Sequence, residues 1–389
     1  SCPHDVLQLD PSPFAELAGF ERADAGKRLA ACTKSGRGPS ARGDSAELNR
    51  EATEISRTFP GPLVLPHDDL NYEPDESPQS FRSWLHEKAR NKVTPQRKTL
   101  YVARVPLIET SVGFMRDWIR PILSGAKQDD GEPQYIEYLA AFYHGLDVKE
   151  FPDRLRWTPW KSTQKGASKL KSGSNVLPKY VALAYDDKAT RVRTRPAPDG
   201  VFKAQLNLND ILDAAIAMLP ADAYAILLLV DHDIHEGDDD DFCCGRAYGG
   251  SRVAVVQTAR YNPLLDVKEQ FDYEHLWPAS HCKAFIDQLC AVEDVEAKPP
   301  TKQLVALSKS GPIRAAIDAS SLLAPDSWST EYQRALWFSR LARTAAHELG
   351  HCLGVAHCVY YACNMQGTGG MKEDVRQPPY WCPVCEMKI

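Results

Sequence analysis

Four things are missing from this 389-residue sequence, and each absence bears on its function or architecture. No run approaches the roughly 18 to 20 consecutive apolar residues that a bilayer-spanning helix requires; the richest, residues 223–230, has only strand length. An integral membrane protein is not expected. There is no excess of positive charge, because 46 Lys and Arg face 52 Asp and Glu, giving a formal net charge of −6 and a pI near 6.0. Without a basic field the chain lacks the attraction that drives phosphate-backbone binding, so nucleic acid is not an expected partner. No internal repeat of fixed period is visible, which excludes solenoids and propellers. The first ten residues carry neither a basic stretch nor an apolar one, so no uncleaved secretory signal is read; a removed leader stays open, since the sequence starts at Ser1.

What is present is ordinary for a folded globular protein: 43% hydrophobic and 25% charged residues. At about 100 to 200 residues per domain, this length predicts two or three lobes. Eleven cysteines is an odd count and four of them are grouped near the C-terminus, so a pure disulfide framework is not expected. That usage points to a reducing, intracellular compartment, cytoplasmic or nuclear; a monomer is expected.

Residues 34–45 (KSGRGPSARGDS) have no apolar periodicity and read as a loop. Ser77 and Pro78 read as the N-cap and first position of a helix running to about Arg90, with Phe81, Trp84 and Leu85 on one face. Residues 99–105 (TLYVARV) read as a strand and residues 133–144 as a helix stopped by Gly145. Residues 161–176, Lys- and Gly-rich, read as a surface insertion. Leu208, Ile211, Leu212, Ala215, Ile216 and Leu219 form an amphipathic helical stripe ended by Pro220. The apolar run 223–230 then reads as a buried strand, and residues 252–260 as another, so helix and buried strand together indicate an α/β layer. Between the two strands, residues 231–241 (DHDIHEGDDDD) form an acidic loop. It lacks the bidentate Glu that an EF-hand needs at its twelfth position, here Phe242, and reads as solvated charge.

The chemistry is concentrated near the C-terminus. Residues 331–352 are compatible with one long helix carrying His347 and His351 four residues apart. At 3.6 residues per turn, such a pair projects from one face, where two imidazoles can reach one tetrahedral ion. Glu348, beside them, is placed to touch the ion's water as a general base. Gly354 permits the positive φ that ends the helix, and His357 follows as a third ligand. Three protein ligands leave a position open, which distinguishes a catalytic zinc from a structural one. The string HELGHCLGVAH matches HExxHxxGxxH, the signature of the metzincin peptidases.

Beside it lie Cys358 and Cys363, then Cys382 and Cys385 in CPVC. Two cysteine pairs separated by a loop have the spacing of a closed, all-thiolate zinc site that would fix a core-poor segment; two disulfides are the alternative. Two Zn2+ per chain are therefore expected, one catalytic and one structural. Met365 reads either as a methionine turn beneath the catalytic zinc or as a plain core residue. Elsewhere His275, His281, Cys282 and Cys290 fit no zinc spacing and read as packing, and Tyr360 and Tyr361 are candidates for an oxyanion contact.

The stretch HELGHCLGVAHCVYYACNM with its later CPVC resembles the archaemetzincins, a metzincin branch that pairs the catalytic motif with a four-cysteine zinc. The resemblance implies an α/β (α+β), zincin-like fold: a mixed twisted sheet with a backing helix and an active-site helix, plus a small C-terminal subdomain held by the four-cysteine zinc. It implies an N-terminal extension at 1–95, a catalytic upper domain at 96–354 and a lower subdomain at 355–389. It also implies peptidase or aminopeptidase activity, and an edge strand at 252–260 on which Val253, Val255 and Gln257 receive an extended peptide. The sequence departs from the family by stopping four residues after Cys385, which predicts a short or truncated lower subdomain, and by its run of four aspartates at 238–241. A rival reading is a zinc-stabilised peptide-binding scaffold without turnover, which has no mechanical need of Glu348.

Overall fold

The computed structural model describes residues 2–17, 23–38, 58–69, 77–122, 135–160, 177–322 and 329–389. The chain divides into two compact units, the first comprising Ala89–Asp266 and Thr330–Gly354, the second Ser1–Lys88, Val267–Ser329 and Val355–Ile389. Residues 267–329, assigned from sequence to the catalytic domain, thus group with the two termini. The insertion read at 161–176 lies outside the described residues.

In chain order the first unit contains β1 (Thr99–Ala103), β2 (Leu107–Ile108), α1 (Tyr135–Phe142), β3 (Asp147–Glu150), β4 (Arg156–Pro159), β5 (Tyr180–Tyr185), β6 (Lys188–Arg195) and β7 (Gln205–Asn207). After these come α2 (Leu208–Met218), β8 (Ala223–Val230), β9 (Ile234–His235), β10 (Gly245–Tyr248), β11 (Val253–Gln257) and α3 (Thr330–Cys352). The fold is mixed α/β, but it carries two sheets where one was expected. A five-stranded sheet runs β10-β11-β8-β1-β3 and a six-stranded one runs β2-β4-β5-β6-β7-β9.

The first sheet is parallel through β3, β1, β8 and β11, with β10 antiparallel at its edge. Its centre is β8, an unbroken apolar strand in which every residue is buried, the pattern of a strand covered on both faces. On the reading of 252–260 as the edge strand the structure gives a correction. Val253, Val255 and Gln257 lie in β11, which is hydrogen-bonded to β8 on one side and β10 on the other and is buried throughout. β10 is the edge. The physical reason is the turn at 249–252, where Arg252 adopts φ +63° and β10 is folded back along β11.

α2 begins at Asn207, whose side-chain oxygen accepts from the Asp210 amide at 3.2 Å, an N-cap that satisfies one of the orphan donors. Leu208, Ile211, Leu212 and Ala215 are buried with Ile226, Leu228 and Val255 in the unit's main core. Ile216, read from sequence as part of that stripe, is exposed. The helix read from Ser77 onward is also shorter than expected. It spans Phe81–His86 and is capped by Ser80, whose hydroxyl oxygen accepts from the Ser83 amide at 3.1 Å.

Candidate metal centres

The helix α3 is held in place by polar contacts on its buried face. Arg340 makes a two-pronged ion pair with Asp266, both bonds 2.7 Å and both residues buried. Thr344 Oγ1 lies 2.9 Å from the Tyr261 hydroxyl, Trp337 donates to the Thr258 carbonyl at 2.8 Å, and the Tyr143 hydroxyl donates to the Ala346 carbonyl. At the far end the Tyr224 hydroxyl bridges the carbonyls of Cys352 and Asn91, each at 3.0 Å. These contacts fix both ends of the segment that carries the histidines.

His347 and His351 converge as their four-residue spacing requires. Their Nε2 atoms are 3.0 Å apart, with the rings nearly perpendicular at 82°. Two nitrogens at about 2.0–2.1 Å from one tetrahedral ion would stand about 3.3 Å apart. The pair therefore fits a zinc with little adjustment. Glu348 is buried, and burial pushes its carboxyl up to about 8, opposed by the charge of Arg246 on β10.

Two glycines let β10 and the turn after it approach α3. A Cβ at Gly245 would stand 3.0 Å from the Val255 carbonyl oxygen and 3.4 Å from Glu348 Cγ. A Cβ at Gly249 would stand 2.5 Å from the carbonyl oxygen of His351 itself. No side chain fits there. The motif glycine, Gly354, has φ +77°, a left-handed conformation at which a helix ends readily only with glycine. It closes the first unit. Val355 opens the second, and His357, half-buried, follows on that side of the boundary.

Within the second unit the four cysteines come together. Cys358, Cys363, Cys382 and Cys385 are buried, their sulfurs all within 4.8 Å of one another and in no disulfide. The Sγ atoms of Cys358 and Cys382 are 3.5 Å apart, and the Cys382 amide donates to the Cys363 sulfur at 3.2 Å. The other three thiols, donating to Cys358, hold it well below the usual range, while burial raises Cys382. A buried set of four soft donors fits a closed tetrahedral zinc. Met365 is buried, and its carbonyl accepts from the Cys358 amide at 2.7 Å, so it braces this cluster.

Other candidates fall away. Tyr361 is packed beneath Arg28, with the guanidinium 5.0 Å from the ring centre, and edge-on to Phe59 at 6.2 Å; it is a core residue and not an oxyanion donor. In the acidic loop the carbonyls of Gly237, Asp238 and Asp240 accept from the Arg195 guanidinium, so the backbone oxygens a cation would want are already used. His281 and Cys290 are packing residues, as expected. His281 Nε2 faces the Gly61 carbonyl at 3.2 Å, and Cys290 lies with Phe14, Leu63, Leu65 and Ile286. Cys282 is different. It meets Cys2 and His4, a grouping the sequence reading missed because the partners are about 280 residues away.

Residues 317–389 match the model of peptidase family M54. The chain is 22% identical to human archaemetzincin-2 over 344 residues, covering 88% of this chain and 72% of that protein. It is 24% identical to human archaemetzincin-1 over 314 residues, covering 81% and 47%. Among solved structures it is similar to the archaemetzincin of Methanopyrus kandleri at a TM-score of 0.35 and 14% identity, covering 77% of this chain and 97% of that one. It is also similar to a zinc-dependent peptidase of Methanocorpusculum labreanum at a TM-score of 0.33 and 16% identity, covering 74% and 98%.

Proposed function

We propose that this chain, which is similar to the archaemetzincins and matches the model of peptidase family M54 at 317–389, is a zinc-dependent peptidase. His347, His351 and His357 hold the catalytic zinc, and Cys358, Cys363, Cys382 and Cys385 hold a structural one. The observation that carries the reading is the convergence of the His347 and His351 Nε2 atoms at 3.0 Å on a helix whose next side chain, Glu348, is a buried carboxylate. A zinc ion held there would supply Lewis acidity, polarising the scissile carbonyl and acidifying the attacking water.

Glu348 does the proton work. It takes a proton from the attacking water and passes it to the leaving amine, and its burial raises its basicity towards what that exchange needs. The substrate lies along β10. There the Gln257 amide bonds the Cys244 carbonyl at 3.0 Å, so alternation along an antiparallel pair turns the amide and carbonyl of Ala247 outward. An extended peptide adds to that edge as a further strand and brings a peptide bond to the histidines. Arg246, half-exposed on β10, faces Glu236 at 3.2 Å and gives the rim a paired charge.

The test is Glu348→Gln with full-length protein and a diverse peptide library. Zinc content is expected to be unchanged, and hydrolysis to fall about 10²- to 10⁴-fold, the usual contribution of a general base. Full activity in that variant would remove Glu348 from the mechanism.

A further inference from the structure

The geometry points to a further metal site, built from Cys2, His4 and Cys282, which takes a zinc ion and pins the N-terminal segment to residues 272–285. All of it lies within the second unit. One sulfur or ring nitrogen from each of the three residues falls within 4.8 Å of the others. The Cys2 and Cys282 sulfurs are 2.9 Å apart, and Cys282 is fully buried.

The backbone brings these residues together by strand-like pairing. Leu7 bridges Cys282, the Gln8 amide donates to the His281 carbonyl at 2.9 Å, and the Lys283 amide donates to the Val6 carbonyl at 2.9 Å. On the other side Arg314 donates to the His4 carbonyl at 2.6 Å. His4 adopts φ +51°, a left-handed conformation uncommon for a residue with a side chain. That turn puts its ring beside the two sulfurs. The Cys2 amide donates to the Glu274 carboxylate, fixing the end of the segment.

Two imidazoles separate a metal from the obvious alternative, a Cys2–Cys282 disulfide. His4 Nε2 is buried and has no hydrogen-bond partner among the described residues. His275 Nε2 is in the same condition, while its Nδ1 is held by the Asp272 carboxylate at 2.6 Å. The two rings lie edge to face, centroids 5.5 Å apart. A carboxylate on one ring nitrogen with the other left free is the arrangement in which histidine serves a metal. A disulfide would leave the buried His4 nitrogen unpaired. A zinc bound by two thiolates and His4 gives that buried nitrogen a partner and cancels its own charge against the two sulfurs. Ligand sulfurs at about 2.3 Å from one ion stand about 3.8 Å apart, so binding opens the sulfur pair by roughly 1 Å.

The experiment uses the full chain, purified under reducing conditions in zinc-supplemented buffer and freed of loose metal. Zinc per chain is measured for wild type, Cys2→Ser and His4→Ala, both changes at partly exposed positions that leave the buried Cys282 in place. Each variant is expected to hold one zinc fewer than wild type while still hydrolysing peptides. Intact mass without reductant is the second readout. An unchanged zinc count in both variants would overturn the site, and so would a wild-type mass two hydrogens light with Cys2 and Cys282 recovered in one linked peptide. Loss of peptide hydrolysis with an unchanged count would bear on the histidine site and leave this one overturned.

Discussion

At the scale of single residues, the site depends as much on what is absent as on what is present. Gly249 is set by contact with a backbone atom, the His351 carbonyl 2.5 Å from where its Cβ would be, and a helix carbonyl cannot rotate away. Gly249→Ala should push the last turn of α3 off β10, costing about 1–3 kcal/mol as an overpacked site does. Thermal melts and a zinc-affinity titration would register it as a lowered midpoint and a weaker histidine site; wild-type values for both would show the contact to be slack. His281 gives a pH prediction. Burial pushes it from 6.5 down to about 4, so the folded protein holds it neutral. Above pH 6.5 neither state binds the proton and the residue has no effect on the pH dependence. As pH falls from 6.5 to about 4, the unfolded chain takes up a proton that the folded core refuses, and about 3 kcal/mol of stability is lost. His281→Gln should flatten that part of the stability curve, read by denaturant melts at successive pH values.

At the scale of elements, α3 was legible in the sequence because its ligand spacing, helical period and terminal glycine agree. β8 was legible because an apolar run bounded by Pro220 and by the acidic loop leaves few alternatives. What the sequence hid is pairing between distant segments. β6 reads KATRVRTR, an alternation of exposed and covered positions, and it folds back on β5 through Asp186 at φ +47°, a turn without the glycine that would have announced it. Hence the second sheet was unseen. β10 escaped for a different reason: GRAY is short and half-exposed, as edge strands are, whereas the adjacent VAVVQ is apolar enough to draw the assignment. The helix itself is held through Arg340 and Asp266. Asp266→Ala would leave a buried guanidinium unpaired and should destabilise the fold by about 3–5 kcal/mol, measured by chemical denaturation. A loss under about 1 kcal/mol would mean that solvent reaches the pair.

At the scale of the whole molecule, a chain of 389 residues places its donor chemistry in separate groups, each suited to a different task. Four buried cysteines are grouped as a closed ion site would need, in a segment, 355–389, whose helical structure is two four-residue turns, Met371–Asp374 and Pro383–Glu386. Two histidines on a long helix beside the buried Glu348 are grouped separately, as a site with an open position would need. The sequence made both groups readable because metal ligands repeat at short intervals. It left the Cys2, His4 and Cys282 grouping unreadable because only the folded chain brings those residues together. The claim on which the rest depends is that His347 and His351 hold a zinc that hydrolyses peptides. The direct measurement is zinc per chain by elemental analysis, on wild type and His351→Ala, with peptide hydrolysis followed on the same samples. The account predicts that the variant loses one zinc and all measurable turnover while keeping the cysteine-bound metal. An unchanged zinc count, or turnover that survives the substitution, would contradict it.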